Sequence, residues 1–274
     1  MLQDKKLYRE LLRQKDEIAR QKKGIIESLQ YARLIQTVLL PQQSVINKTL
    51  SDSFILYLPR DIVSGDFYWI SEQEENILFA AVDCTGHGVP GAFMSILGIT
   101  SLNEIVNNND KLKANRILNK LREKIMKSLH QTGKGGESKD GMDIAFCIFN
   151  RKTRVLQYAG ANNPLYYIRQ NTMNEIKPDK MPIGISGVEE KSFRNHVMKM
   201  RKGDMLYIFT DGYPDQFGGP KEKKFKYKPF RNLLLEIHDK NMEEQKEILS
   251  STFFDWKKDY EQVDDILIIG VRIN

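Results

Sequence analysis

Apolar and polar residues follow two different rhythms along this chain, and the change falls near residue 50. The first 41 residues are rich in helix formers, contain one glycine and reach Pro41 without an earlier proline. Positions spaced alternately by four and three residues form a coiled-coil seam: Leu7, Leu11, Gln14, Ile18, Gln21, Ile25, Ser28, Ala32, Ile35 and Leu39. Three of these inner positions are polar, so the seam is weak. The pattern predicts a helical linker over 1–41 that dimerises through residues 1–40 and ends at Pro41; a plain amphipathic helix packed on its own domain is the alternative.

Short apolar runs separated by turn residues begin at about residue 50. Eight runs predict strands: "SFILYLP", "GDFYWIS", "NILFAAVD", "MDIAFCIFN", "RVLQYAG", "NPLYYIRQ", "DMLYIFTDG" and "DDILIIGVRI". Their hairpin-like spacing favours antiparallel sheets over a parallel series. Helical patterns interrupt them at about 90–108, 113–130, 230–239 and 242–258. The pattern predicts an α+β domain over 50–274 with helices covering packed sheets, and a mobile loop over 130–141.

Composition and charge indicate which partners and which cellular compartment to expect for this protein. The 274 residues carry a net charge of +6, but the lysines are scattered, with local density only in "RQKDEIARQKK" and "GGPKEKKFKYKPFR". No base-stacking motif or metal-finger spacing accompanies them, so we expect no nucleic-acid partner. No apolar run approaches the roughly 18 residues of a membrane span, and the N-terminus lacks the apolar core of a secretory signal. Cys84 and Cys147 lie in apolar runs, as buried thiols of a reducing compartment do. We therefore expect a cytoplasmic protein.

Four aspartates share one local arrangement, since each lies at the end of a predicted strand or in the adjoining turn: Asp66, Asp83, Asp211 and Asp264. Glycines beside three of them, Gly65, Gly86 and Gly212, would let the backbone approach an ion or a phosphate. Buried carboxylates are costly unless they are paired or bind metal. Oxygen ligands favour Mg²⁺ or Mn²⁺ over zinc, and a pair of such ions promotes displacement at phosphorus. The predicted chemistry is phosphate-ester hydrolysis; the GxxxxGK[ST] cradle of nucleotide-dependent transfer is missing.

Several longer motifs follow one another along the chain: "VSGDFYW", "VDCTGHGVPGAFMS", "GMDIAFCIF", "YAGANNPLYYIR", "MPIGI", "GDMLYIFTDGYPDQFGG" and "DDILIIGVRI". Together they resemble the SpoIIE-type branch of the bacterial metal-dependent protein phosphatases, the PPM superfamily, over roughly residues 50–274. The resemblance implies an α-β-β-α sandwich of two antiparallel sheets between helices. It implies that Asp66 holds one metal, Asp83 bridges two, Cys84 offers its backbone carbonyl, Asp211 holds the second metal and Asp264 completes the site. Asp265 is the alternative at the last position, because neighbouring strand residues point to opposite faces.

The same resemblance implies a substrate and a mechanism. Asp66, Asp83 and Asp211 would be catalytic, holding two Mn²⁺ or Mg²⁺ ions, with a third ion possible, and a hydroxide activated by two metals would attack phosphorus. The substrate would be phosphoserine or phosphothreonine on a partner protein, typically an anti-sigma-factor antagonist. Independently of the resemblance, the helix that begins at "GVPGAF" directly follows Asp83, so we hypothesise that the 1–40 linker regulates the site through this helix.

For several other residues, the sequence allows both a role in the site and a purely structural role. Asp143 and Asp140 could serve an accessory metal or be solvated, and Arg60 could grip phosphate through its planar fork. Gly184 in "MPIGI" matches a glycine used near regulatory helices, whereas His87 could orient a water or hydrogen-bond its turn. Asp215 could support the site or lie on the surface. The segment 217–230, "FGGPKEKKFKYKPF", could dock substrate protein or form a solvated loop.

Two other classes of protein remain to be separated from this one. A catalytically inactive PPM-fold signalling module would keep the fold but lose metal binding, and the intact aspartate set argues against it. A two-metal phosphodiesterase or nuclease fits the aspartates but not the surrounding motifs.

Overall fold

A computed structural model describes residues 2–108, 113–133, 138–185 and 191–274, with side chains from residue 6 onward. The helices are α1 Leu2–Leu39, α2 Gln43–Thr49, α3 Gly88–Asn107, α4 Ala114–Ser128, α5 Gly212–Asp215, α6 Tyr227–Ile237 and α7 Met242–Lys257. The strands are β1 Ser53–Leu58, β2 Phe67–Gln73, β3 Asn76–Cys84, β4 Met142–Asn150, β5 Val155–Ala161, β6 Leu165–Arg169, β7 Thr172–Ile176, β8 His196–Lys199, β9 Met205–Phe209, β10 Phe217–Gly218, β11 Lys223–Lys224 and β12 Ile266–Arg272.

Two five-stranded antiparallel sheets form the centre of the molecule. One has the order β2-β3-β4-β5-β8 and the other β1-β12-β9-β6-β7, while β10 and β11 form a separate short hairpin. Apolar side chains alternate between faces, as a strand requires. In β4, Ile144, Phe146 and Ile148 pack with α3 and α4, whereas Ala145 and Cys147 pack between the sheets. The layers are therefore helix, sheet, sheet and helix, and the predicted α-β-β-α sandwich is confirmed.

The pairing of the strands brings distant parts of the chain to one end of the sandwich. The end of β3 lies beside the start of β2 and the start of β4, because Val82 pairs with Phe67 and Cys84 pairs with Met142. The end of β9 lies beside the start of β12, because Phe209 pairs with Ile268. Residues that flank these strand ends therefore meet, although they lie far apart along the chain.

Helix α1 has two differently placed parts. Gln36 and the following Leu40 are buried against the domain, whereas the seam residues Leu7, Leu11 and Ile18 are 56–64% exposed. The helix ends two residues before Pro41, as predicted. Its role as a dimerising coiled coil stays a prediction.

Each of the eight predicted runs contains a strand, and each of the four helical patterns downstream of residue 50 contains a helix. The sequence missed the edge strands β7 and β8, which are short and have no fully buried side chains, and the two-residue strands β10 and β11 in the segment 217–230. It also missed the short helices α2 and α5. The predicted loop over 130–141 is irregular at both ends, and its centre, 134–137, lies outside the described residues.

Helix α3 is more apolar than the sequence pattern suggested. Among the described helices it alone is long and apolar enough to cross a membrane by length and composition, with a mean hydropathy of 1.4 over its window. However, 56% of that window is buried inside the domain, and Ile99, Leu102 and Val106 pack in the core against the first sheet. The apolar character of α3 is therefore explained by core packing.

Candidate metal centre

A pocket of about 240 Å³ opens where the strand ends meet. Its lining is Asp83, Cys84, Thr85, Gly86, His87, Asp143, Asp211 and Asp264. Within the described part of the chain, no lysine or arginine lines this pocket. The pocket is thus an acidic depression built from both sheets.

Asp83 and Asp143 face each other across the first sheet. They are direct partners in the antiparallel register of β3 and β4. Like charges directly opposite each other destabilise a sheet unless something neutralises them. Asn162, held in the left-handed region at φ 57°, donates from its side-chain nitrogen to Asp143 Oδ1 at 2.8 Å. Asp143, which the sequence assigned to an accessory metal or to solvent, therefore belongs to the pocket wall.

Asp66 is only 2% exposed and is not part of the pocket lining; it directly precedes Phe67, which pairs with Val82 next to Asp83. Thr210 donates its hydroxyl to Asp66 Oδ2 at 2.6 Å, and the Tyr57 hydroxyl donates to the Asp66 backbone carbonyl at 3.0 Å. Burial, followed by the nearby Asp83 charge, raises the pKa of Asp66 well above its usual range. The hydrogen bond from Thr210 thus fixes one carboxylate oxygen of Asp66, and the Asp66 carboxylate remains close enough to Asp83 for the two charges to repel each other.

Asp264 and Asp265 have separate roles. Asp264 lines the pocket. Asp265 is 2% exposed and its carboxylate accepts from the backbone nitrogens of Arg60 and Gly65, both at 2.7 Å. The side chain of Asp265 therefore fastens the 60–66 loop, and of the two alternatives it is Asp264 that faces the pocket.

The pocket carboxylates raise one another's pKa values. Burial raises the pKa of Asp83 well above its usual range, and the charges of Asp211, Asp264 and Asp143 add to it. Burial and the Asp264 charge raise the pKa of Asp211 to about 6. Burial also raises the pKa values of Asp143 and Asp264. Among the described residues, none of these aspartates forms a direct ion pair with a lysine or arginine. More distant charges, Lys224 for Asp211 and Arg60 for Asp264, offset only part of the effect of burial and repulsion on their pKa values.

These residues fit divalent cations by donor chemistry. In the described part of the chain, no three histidine, cysteine or acidic side chains are gathered tightly enough to form a ready metal cage. The fit rests on an all-oxygen donor set and on desolvated carboxylates that repel one another, which is the setting that hard cations such as Mg²⁺ and Mn²⁺ relieve. Cys84 is buried and its thiol pKa is raised well above the usual range by burial and by Asp66, so a thiolate ligand is disfavoured.

The glycines near the site serve backbone packing. A Cβ on Gly65 would lie 2.5 Å from the carbonyl oxygen of Gly86, and one on Gly91 would collide with the same oxygen. A Cβ on Gly212 would collide with the carbonyl oxygen of Asp265. For Gly65 and Gly212, the structure thus shows close contact with other backbone segments where the sequence suggested room for an ion or phosphate.

His87 and Arg60, the two basic side chains that the sequence singled out, occupy different positions relative to the pocket. His87 is exposed at the pocket mouth, and its Nδ1 lies 3.0 Å from Asp61 Oδ2, a partner outside its own turn. The guanidinium of Arg60 donates to the Val263 carbonyl at 2.9 Å and does not line the pocket. This arrangement favours a loop-holding role for Arg60, and phosphate binding by Arg60 remains only a prediction.

Three further candidates lie outside the pocket lining. Asp140 is exposed and accepts from Ser138. Gly184 has φ 150° and packs against the backbone of Asp140 and Gly141 beside the start of β4. Asp215 ends α5 and pairs with Lys224 at 2.8 Å. The structure therefore brings Asp140 and Gly184 near the pocket wall without placing either in it.

Sequence reasoning missed three residues that support the site. Thr210, Asp61 and Gln36 contact Asp66, His87 and the 64–66 loop respectively. Only Thr210 carried a signal, because it directly precedes Asp211. The other two contacts depend on chain segments that meet only in the folded state.

An α-β-β-α sandwich with aspartates collected at one end of its two sheets defines the PPM, or PP2C, class of protein phosphatase fold. Within that class the chain belongs to the SpoIIE family: the family description "Stage II sporulation protein E (SpoIIE)" matches residues 73–274. No curated protein matches the sequence.

Solved structures agree with this assignment. The SiaA-PP2C domain of Pseudomonas aeruginosa is 31% identical, with a TM-score of 0.83 over 92% of this chain and 98% of that one. A PP2C phosphatase domain with a regulatory fragment of SpoIIE from Bacillus subtilis is 20% identical, with a TM-score of 0.65 over 81% of this chain and 61% of that one. RsbX in complex with magnesium is 14% identical, with a TM-score of 0.55 over 81% of this chain and 94% of that one. The last two show the shared fold alone.

Proposed function

We propose that this protein hydrolyses phosphoserine or phosphothreonine on a partner protein, using Mn²⁺ or Mg²⁺. The single observation that carries the proposal is the acidic pocket, in which four aspartates from both sheets surround an opening, while a fifth, Asp66, is buried at the start of the adjacent strand β2. Membership of the SpoIIE family supports phosphatase chemistry at this site.

Asp66, Asp83, the Cys84 carbonyl, Asp211 and Asp264 would hold two divalent cations, and Asp143 could hold a third. When bound, such ions lower the pKa of water and neutralise charge that develops on the phosphoryl oxygens. The magnesium in the related RsbX structure supports this choice of metals.

The protein's own groups have separate tasks in this reaction. Thr210 and Asn162 fix the orientation of Asp66 and Asp143 through the hydrogen bonds described above. His87 is the one histidine in the described pocket lining, and an imidazole ring can both carry and accept a proton. We assign it the transfer of a proton from its ring to the departing seryl oxygen as the P–O bond breaks, with Asp61 orienting the ring.

The substrate we propose is an anti-sigma-factor antagonist, on the strength of the motifs shared with the SpoIIE branch. The two thiols are free and buried, which supports the interpretation that the protein works in the cytoplasm.

We further propose that α1 regulates the site, and Gln36 provides the physical link. Its side-chain nitrogen donates to the Ser64 carbonyl at 2.6 Å and to Ser95 Oγ at 2.8 Å, while its oxygen accepts from the Ser64 backbone nitrogen at 3.1 Å. Ser64 lies two residues before Asp66, and Ser95 lies in α3, which follows the Asp83 turn. A displacement of α1 would therefore strain both supports of the metal ligands.

The exposed part of α1 supports a dimer. Four apolar residues of the seam are exposed to solvent in the single chain: Leu7, Leu11, Ile18 and Ile25. A second copy would bury this seam, and pairing would set the position of Gln36.

Calorimetric titration of Mn²⁺ into metal-free protein tests the site. We expect saturable binding in the wild type, and loss of both binding and p-nitrophenyl phosphate hydrolysis in Asp83→Asn. Full hydrolysis in excess chelator would refute metal dependence. Tight Mn²⁺ binding without turnover of any phosphoester would instead indicate a signalling module without catalysis.

A further inference from the structure

A dense group of lysines lies on the short β10–β11 hairpin and the start of α6. The segment 221–228 reads KEKKFKYK, and all five lysines are exposed: Lys221, Lys223, Lys224, Lys226 and Lys228. Within the described residues, an ion pair is found only for Lys224, with Asp215. We call the remaining four lysines the lysine surface.

The lysine surface adjoins the acidic pocket. Helix α5 starts directly after Asp211, and the backbone nitrogen of Lys226 donates to the Pro214 carbonyl in that helix at 2.6 Å. The charge of Lys224 lowers the pKa of Asp211 against the larger effects of burial and neighbouring acids. Beyond the effect of burial, the Asp211 charge also raises the pKa of Tyr227. The hairpin is thus close enough for its charges to act on the pocket carboxylates, and for those carboxylates to act on the side chains that follow the hairpin.

The fold gains little from these charges. Lys226 is the N-cap of α6 at φ 75° and makes no side-chain cap, and Lys228 lies in the first turn. Positive charge at a helix N-terminus opposes the helix dipole. Helix α7 of the same chain shows the stabilising arrangement, with the Asn241–Glu244 capping box and two acidic residues in its first turn. Residues that reduce local stability are often found at functional sites, so the lysines at the start of α6 indicate a functional role for this surface.

The surface also offers two half-exposed rings. Phe217 is 41% and Tyr227 is 42% exposed. Aromatic rings among basic side chains suit a contact surface for another protein, since aromatic residues are enriched where proteins meet. The described lining of the pocket contains no lysine or arginine. Electrostatic attraction for an acidic protein would therefore come from the lysine surface beside the pocket.

We propose that the lysine surface docks an acidic region next to the phosphorylated residue of the protein substrate. This inference rests on the proposed phosphatase function and names a recognition element for it. Docking beside the pocket would select among phosphoproteins without altering the chemical step.

Matched phosphopeptides test the docking. One peptide carries phosphoserine followed by a run of aspartates, and its control carries asparagines at the same positions. We expect wild-type kcat/KM to favour the acidic peptide about tenfold at low salt, mainly through KM, and to lose this preference at about 0.5 M salt. Lys223→Glu/Lys228→Glu should abolish the preference and hydrolyse p-nitrophenyl phosphate at the wild-type rate.

The control variant is Lys152→Glu/Lys202→Glu, which makes the same charge change in turns at the opposite end of the sandwich. It should keep the peptide preference. The thermal midpoint of Lys223→Glu/Lys228→Glu should be no lower than that of the wild type, because a negative charge in the first turn of α6 suits the helix dipole.

Equal rates for both peptides in the wild type, or an unchanged preference in the lysine variant, would overturn the proposal. Binding of a single-stranded DNA oligonucleotide or of anionic vesicles that disappears in the lysine variant, without any peptide preference, would also overturn it and assign the surface to that ligand. If no phosphoester is hydrolysed at all, the proposed function fails, and fluorescence anisotropy of the two labelled peptides still reads the docking surface separately.

Discussion

The burial and mutual repulsion of the pocket carboxylates predict that Asp211, which we propose as a metal ligand, destabilises the metal-free fold. Asp211 has its pKa raised from 3.8 to about 6, with burial as the main cause and Asp264 as the next. A difference of about two pKa units corresponds to about 3 kcal/mol at about 1.4 kcal/mol each. Because solvent at the pocket mouth screens part of this effect, we expect Asp211→Asn to stabilise the metal-free protein by about 1–2 kcal/mol at pH 8.

The pH dependence has a definite sign. The folded state holds the Asp211 proton at higher pH than the unfolded state does, so the wild type loses stability as pH rises from about 3.8 through about 6. The advantage of Asp211→Asn should therefore be small near pH 4 and complete above about pH 7. Saturating Mn²⁺ should reverse the order, because the wild type gains binding energy that the variant lacks.

Urea unfolding in chelator, followed by circular dichroism at several pH values, measures this difference. Asp204→Asn is the matched control, since Asp204 is 3% exposed but is paired with Arg169 far from the pocket. It should destabilise the protein by about 1 kcal/mol or more, because the buried Asp204 carboxylate accepts from the Arg169 guanidinium and the Arg201 backbone nitrogen, and an amide replaces these bonds only in part. The electrostatic reasoning would be refuted if metal-free Asp211→Asn were less stable than the wild type. It would also be refuted if the difference in unfolding free energy between the two proteins did not change with pH.

Three further outcomes are expected. Leu11→Lys/Ile18→Lys should convert a dimer to a monomer by light scattering, and a monomeric wild type would contradict the seam. His87→Gln should slow phosphoserine hydrolysis by about 10²-fold or more but affect p-nitrophenyl phosphate far less, since nitrophenolate leaves without a proton; equal losses on both would exclude the proton transfer. Gln36→Leu should lower activity at wild-type Mn²⁺ saturation or weaken Mn²⁺ affinity, with the dimer intact; an unchanged rate and affinity would remove α1 from the control of the site.

The sandwich was predictable because its core strands carry a strong apolar signal. Runs such as Met142–Asn150 and Ile266–Arg272 are buried on both faces, so nearly every residue contributes. The edge strand His196–Lys199 has one solvated face and too few apolar residues to stand out.

Within the pocket, the sequence located aspartates by their strand ends, which antiparallel pairing then brings together. It left Asp264 and Asp265 open, since choosing between them depends on which side chain turns to the 60–66 loop. Gln36 could not have been predicted, because a glutamine in a helical, coiled-coil-like segment looks like a solvated position until its partners are known. Asp61 was hidden for a related reason, since its contact with His87 joins two loops 26 residues apart.

The central claim is that the strand-end aspartates form a divalent metal centre for phosphoester hydrolysis. Phosphate release from a phosphoserine peptide, measured as Mn²⁺ is titrated into metal-free wild type and Asp83→Asn side by side, tests it most directly. The wild type should rise from no detectable rate to a saturating one, while the variant remains inactive at every concentration. A wild-type rate that does not depend on Mn²⁺ or Mg²⁺, or an Asp83→Asn variant that matches it, would contradict the claim.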